Sequence, residues 1–267
     1  MRKRKLDFNF ILGIVLISFV LILVLVGLFY TPYDPNAMDI TSKNLPPSLS
    51  HLFGTDYMGR DILSRVMEGA KTTFFIGIAT VTIGAVIGIL VGAVTGYYGG
   101  ILDEILMRIN DGIASFPSIL LALVMVSILG TGKYNIILAL GIIFIPSFAR
   151  VVRSEFIAQK QLDYVRNAKL MGAGDLRIMF VHILPNTRSI ILSAVTVGFN
   201  NAVLAEAGMS YLSLGVQPPD ASLGRMLSEA QTYLFNAPWF ALAPGLIIVI
   251  TVLGFSLINE RGMKDGN

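Results

Sequence analysis

The sequence predicts an all-α polytopic membrane protein with six transmembrane helices and both termini on the cytoplasmic side. Three observations predict it. Hydrophobic residues make up 54% of the chain against 14% charged, with a mean hydropathy of +0.73, an apolar excess too large for one soluble core. Charge-free runs cover Phe8–Tyr33, Thr72–Leu102, Gly112–Gly132, Tyr134–Ala149, Ser189–Ala205 and Ala230–Asn259, close to the ~20 apolar residues that a spanning helix needs. Basic residues are also unevenly divided. With the N-terminus inside, fourteen Lys and Arg lie in inside segments and six outside, as the positive-inside bias requires.

The helices are expected at about Phe10–Tyr30, Thr72–Tyr97, Leu102–Leu129, Asn135–Val152, Ser189–Met209 and Pro238–Ile258. Before the first lies Arg2-Lys3-Arg4-Lys5. This resembles a secretory signal, but the apolar run is too long and lacks a small-residue cleavage site, so a retained helix is expected. The second carries Gly84, Gly88, Gly92 and Gly96 on one bare stripe suited to close helix packing. The third opens as an amphipathic stretch with Asp103, Glu104, Arg108 and Asp111, expected to enter along the inner interface. Pro117 and Pro146 fall inside spans, where neighbouring helices can satisfy freed carbonyls. The fourth run is short, but Arg150 can snorkel at its end. The expected organisation is residues 1–30 as cytoplasmic segment and first helix, 31–71 as an extracytoplasmic segment, and 72–267 as a five-helix core with a cytoplasmic loop at 153–187.

That loop is the most informative segment. Leu162, Val165, Ala168, Lys169 and Met171 recur near helical spacing, and Gly172 and Gly174 permit a sharp change of direction. Asp175 is a plausible N-cap of a second helix with Leu176, Met179, Phe180 and Ile183 on its apolar face, and Pro185 is expected to end it. The product is a short helix–turn–helix whose outer surface mixes apolar residues with Arg166, Lys169 and Arg177, suited to docking in a groove of another protein.

The segment resembles the EAA loop of binding-protein-dependent ABC importer permeases. Ala168, Gly172, Ile183, Leu184 and Pro185 match its pattern, while Arg166 and Asn167 replace the leading Glu and Ala. The stretch His51–Arg65, containing Gly-Thr-Asp-x-x-Gly-Arg-Asp, is similar to the signature of the peptide/nickel branch. So is Ala207–Pro219 leading into Gly224–Glu229. Order and length resemble the second (C-type) permease of oligopeptide, dipeptide and nickel systems. The resemblance implies a six-helix bundle in the bacterial inner membrane. Its implied partners are a second permease, two ATP-binding cassette subunits and an extracytoplasmic substrate-binding protein. It implies ATPase coupling through Asp163, Arg166, Ala168, Lys169, Gly172, Ala173, Asp175 and Pro185. No cofactor is expected in this subunit, because ATP belongs to the partners. The cargo expected is peptide, or nickel or another metal chelate.

Other polar residues carry weaker signals. Asp56, Arg60 and Asp61 are read chiefly as a structural turn capping the second helix, and Glu206 chiefly as a structural hydrogen-bonding group, each with a pathway role as the competing reading. His51 and His182 lie on opposite sides and cannot share a metal. Gly130-Thr-Gly-Lys133 lacks the first glycine and the Ser/Thr of a phosphate loop. The chain has no cysteine and no nucleophile–base constellation, so no catalysis of its own is expected. No basic stripe with interleaved aromatics points to nucleic acid. The alternatives are a secondary transporter, which would need carboxylates near the midplane, and a membrane-embedded enzyme.

Overall fold

The computed structural model describes residues 8–265, and Arg2–Lys5 lie outside the described residues. Helix α1 spans Phe8–Phe29, α2 Ile62–Tyr98, α3 Gly100–Ala114, α4 Ser118–Leu129 and α5 Lys133–Gln159. Short elements α6 (Asp163–Leu170), α7 (Asp175–Arg177), a π-helical stretch (Ile178–Ile183) and α8 (Leu184–Asn186) follow. Then come α9 (Arg188–Tyr211), α10 (Leu223–Ala230) and α11 (Pro238–Asp265). Five helices are long and apolar enough to cross a bilayer, and the bent pair α3–α4 makes a sixth crossing if taken as one. No strand occurs among the described residues.

Helix α2 begins ten residues before the expected Thr72. Asp61 caps it, its carboxylate accepting from the Ser64 backbone N–H at 2.8 Å. The helix runs for 37 residues, or about 55 Å at 1.5 Å per residue, against about 30 Å of hydrocarbon. Its first turns therefore stand outside the apolar layer, where Arg65, Glu68 and Lys71 interrupt hydropathy without interrupting the helix. The expected division at residue 71 falls within this helix.

The third expected helix, Leu102–Leu129, is two. Helices α3 and α4 meet at 87° around Ser115-Phe116-Pro117. Pro117 lacks the N–H that would continue α3 and disfavours helical geometry at Phe116. Helix α3 is tied to α5 by Asp103, which accepts two hydrogen bonds from Arg153 at 2.6 and 2.7 Å, and by an Asp111–Arg150 pair at 2.8 Å. Pro146, by contrast, is buried within a continuous α5.

The central contact is α2 against α5. A Cβ placed on Gly84 would lie 2.9 Å from Phe144 Cβ, on Gly88 2.5 Å from Phe148 Cβ, and on Gly96 2.7 Å from Phe156 Cβ. On Gly92 it would lie 2.5 Å from the Ala149 carbonyl oxygen. Gly141 receives Ile83 in return. Helix α1 packs along α11 by the same device, with Gly13 against the Gly254 carbonyl and Gly254 against Leu16 and Ile17.

Two structured caps close opposite ends of the bundle. Residues 30–61, the 212–222 loop and α10 gather around the start of α2. The α6–α8 element sits at the other end, on the end of α2 and the last turns of α5.

Gly88→Ala is expected to lower the thermal unfolding midpoint of the purified protein in detergent, because overpacking costs about 1–3 kcal/mol. Gly112→Ala, where an added Cβ meets nothing within 4 Å, is expected to leave the midpoint unchanged or raise it. Equal effects of the two would rule out a special role for the seam.

Candidate coupling element and the charged network at the opposite end

Helix α6 buries Val165 and Ala168 against Ile178, Met179, Ile183 and Phe156. Asp163 stands in its first turn and Lys169 in its last, each of the sign that the helix dipole favours. Asp163, Arg166 and Lys169 are exposed, and the Arg166–Asp163 pair at 3.6 Å is solvated on both sides.

The turn after α6 explains Gly172. The Gly172 N–H bonds the Lys169 carbonyl at 2.9 Å and the Ala173 N–H bonds the Ala168 carbonyl at 3.0 Å. This is a Schellman C-cap, which requires a left-handed residue at Gly172, and its φ is +80°. An added Cβ there would meet nothing within 4 Å, so the constraint is backbone conformation alone. Leu170 and Met171 project from this turn, 86% and 89% exposed, and Leu176 follows on the same end at 69%.

Three expectations fail. Asp175 is not an N-cap: Gly174 holds that position without a side-chain bond. Asp175 is instead the first helical residue, and its Oδ1 accepts a 2.6 Å hydrogen bond from the Tyr97 hydroxyl at the end of α2. Pro185 does not stop the helix either. The path widens to π geometry over Ile178–Ile183, with the Leu184 N–H donating to the Met179 carbonyl. This extra residue per turn accommodates a proline that has no N–H to give. The break comes at Thr187, whose hydroxyl donates to the Leu184 carbonyl at 2.9 Å. Leu176, expected on the inner face, is exposed, and Ile178 takes its place in the core. Ala168 lies inside the element and Ala173 is half-buried, whereas Pro185 is exposed.

At the opposite end Asp56, Arg60 and Asp61 build a turn. The Asp56 carboxylate accepts from the Met58 and Arg60 N–H groups at 2.8 and 3.0 Å and from Arg60 Nε at 2.6 Å. Gly54 and Gly59 have φ of +75° and +78°. A Cβ on Gly59 would overlap the Asp39 carbonyl, and one on Gly54 would meet the Leu45 carbonyl and Trp239. Asp61 also pairs with His51 Nδ1 at 2.9 Å.

Two residues that the sequence did not single out complete the site. Arg60 Nη2 donates to Glu229 Oε2 at 2.9 Å. Arg65, fully buried, stands 3.5 Å from Glu229 and 3.8 Å from Asp56 and donates to the Pro35 carbonyl at 3.2 Å. Both occur in the quoted motif stretches, which was the available signal. Tyr57 lies beside the network, and burial together with the Glu229 charge raises its hydroxyl above the usual tyrosine range.

Glu206 is fully buried and joins α9 to α2, accepting from the Ser210 hydroxyl at 2.6 Å and the Thr73 hydroxyl at 2.8 Å. Thr73 in turn accepts from the Leu223 N–H at 3.2 Å. His51 and His182 sit at opposite ends, and among the described residues no group of three or more His, Cys, Asp or Glu side chains could hold a metal.

A bundle of apolar helices with a helix–turn–helix at one end and a charge-locked cap at the other defines a multi-pass helical membrane protein. Residues 84–261 match the family described as binding-protein-dependent transport system inner membrane component, and the chain belongs to that family. It is 38% identical to a dipeptide transport system permease protein, DppC, of Haemophilus influenzae, over 96% of this chain and 88% of that one. It is 41% identical to a glutathione transport system permease protein, GsiD, of Pectobacterium atrosepticum, over 92% and 83%. A putative peptide transport system permease of Brucella suis is 38% identical over 99% and 88%. In fold, the chain is similar to a chain of the MetNI methionine ABC transporter in an inward-facing crystal form, with a TM-score of 0.62 at 22% identity over 76% of this chain and 96% of that one.

Glu229→Ala is expected to cost about 3–5 kcal/mol, since it leaves buried Arg60 and Arg65 to share the single carboxylate of Asp56. The check is thermal unfolding in detergent. Arg65→Met combined with Glu229→Leu should cost less than the sum of the single changes.

Proposed function

We propose that the chain forms, with a second permease subunit, the translocation path of a peptide importer in the bacterial inner membrane. Of two cytoplasmic ATPase subunits, one grips the α6–α8 element of this chain and the other that of the second permease, and a substrate-binding protein delivers cargo at the opposite end. The observation that carries this reading is the Schellman turn, which presents Leu170, Met171 and Leu176 on a buried stalk. Large exposed apolar side chains on a rigid turn, flanked by Arg166, Lys169 and Arg177, suit insertion into a cleft with an acidic rim. The positive-inside bias supports a cytoplasmic position for this end. ATP chemistry is assigned to the partners, because this chain's role is to be moved. Peptide is favoured over a metal chelate as cargo by the dipeptide, glutathione and peptide systems to which the relatives belong.

The chain has no cysteine, so single cysteines give unambiguous reports. In the assembled transporter, Met171→Cys should crosslink to a cysteine in the ATPase cleft and resist an impermeant maleimide added to intact spheroplasts. Leu49→Cys, fully exposed at the other end, should react with that maleimide. Labelling of Met171→Cys from outside would overturn the proposal. Gly172→Val, which forces about 1–3 kcal/mol of left-handed strain onto a branched residue, should reduce cargo uptake about tenfold while ATP hydrolysis continues.

A further inference from the structure

The α6–α8 element is held to the bundle by two kinds of contact. Val165, Ile178, Met179 and Ile183 supply apolar adhesion against Ala93, Val152 and Phe156. Such contact is non-directional and by itself lets one part slide or rotate on another. Apart from the Tyr164 hydroxyl, which donates to Gln159 Oε1 at the end of α5 at 2.9 Å, the directional contacts between this element and the bundle gather on Tyr97, one residue from the end of α2. Its ring is 4% exposed within the same cluster. Its hydroxyl donates to Asp175 Oδ1 at 2.6 Å, fixing the start of the second arm. Its carbonyl accepts from Lys160 Nζ at 2.5 Å, binding the exit of α5 to the end of α2. The ammonium of Lys169, in the last turn of α6, stands 5.2 Å from its ring centre, within cation–π range.

We propose that Tyr97 is a positioning residue for energy coupling: through its hydroxyl bond to Asp175 it transmits displacement of the exposed turn into the α2–α5 pair. This rests on the α6–α8 element being the ATPase contact. Beyond the return along α6 to the end of α5, displacement applied at Leu170 and Met171 has two routes into the bundle. One runs through the second arm into α9, across the π-helical stretch and the break at Thr187. The other runs through Asp175 and Tyr97 into α2, which is locked to α5 along four glycines. Both cross the turn at Gly172, and beyond it the second meets no further break in regular helix. Without the hydroxyl, the arm keeps its apolar seat but can turn on it, and the stroke is spent at the joint.

The test uses the complete heteromeric transporter with its binding protein in proteoliposomes. The readout is ATP hydrolysed per cargo imported, a ratio that reduced folding or assembly would not change, because both quantities fall together. Tyr97→Phe and Asp175→Ala should each raise the ratio about 5-fold, the equilibrium equivalent of one lost hydrogen bond. The double variant should be no worse than either single. Asp175→Asn, which still offers an oxygen to the hydroxyl, should stay within about 2-fold of wild type. A wild-type ratio in Tyr97→Phe, or in Asp175→Ala should Tyr97→Phe fail to assemble, overturns the inference. So does an additive double variant. The Met171→Cys crosslink, measured in the same preparations, separates the two levels: if it forms while the ratio is unchanged, only the role of Tyr97 fails. If it does not form in the otherwise wild-type chain, the docking assignment fails with it.

Discussion

The close approach of α2 and α5 is the constraint on which the rest of the structure depends. In hydrocarbon, apolar side chains gain nothing by leaving lipid for one another, so helices associate through van der Waals fit and interhelical bonds. Four glycines at a spacing of four let the α5 backbone and the Cβ atoms of Phe144, Phe148 and Phe156 lie directly on α2. Both helices outrun the bilayer, so the pair carries its alignment beyond the membrane at both ends. Each cap is assembled on a protruding end of this pair.

The two caps solve burial in different ways. At the start of α2, charged groups are buried together: Asp56, Arg60, Arg65 and Glu229 are each at most 6% exposed at the side chain. Such a network is costly to assemble and costly to break in part, so it holds one geometry. At the other end the interior is apolar, and direction comes from few bonds, chiefly those of Tyr97, Asp175 and Lys160. An apolar seat with few directional ties suits a part that is handled by partners, and a charge-locked cap suits one that must keep its shape.

The spans were legible because lipid imposes one rule on the whole run of residues, and hydropathy reads that rule directly. Their ends were not. The first turns of α2 carry Arg65, Glu68 and Lys71, which break the apolar run although Asp61 starts the helix earlier. The α3–α4 bend was hidden because a proline in a membrane helix can be tolerated, as Pro146 is, or can break it, as Pro117 does. Neighbours decide between these outcomes. Gly172 was legible in the turn after α6 because only glycine takes its φ at no cost. Asp175 was misread because its partner, Tyr97, lies 78 residues away, beyond any local capping rule. The Arg60–Glu229 pair spans 169 residues and was equally invisible, although both residues stood in stretches that the family resemblance had marked.

Glu206 bears on how such a bundle can be driven. A carboxyl buried in the spans is a natural candidate for a proton or ion relay. Here both of its oxygens are engaged by hydroxyls of Thr73 and Ser210, and those hydroxyls also accept the N–H groups of Leu223 and Val216. Each of these bonds fixes the next, so a change in one acceptor would unsettle the junction of α2, α9 and the loop into α10. On the function proposed above, that arrangement suits a joint rather than a relay. Under the proposed function, the exposed turn at Leu170 and Met171 is the grip, and the glycine seam holds α2 and α5 together as the bundle is moved.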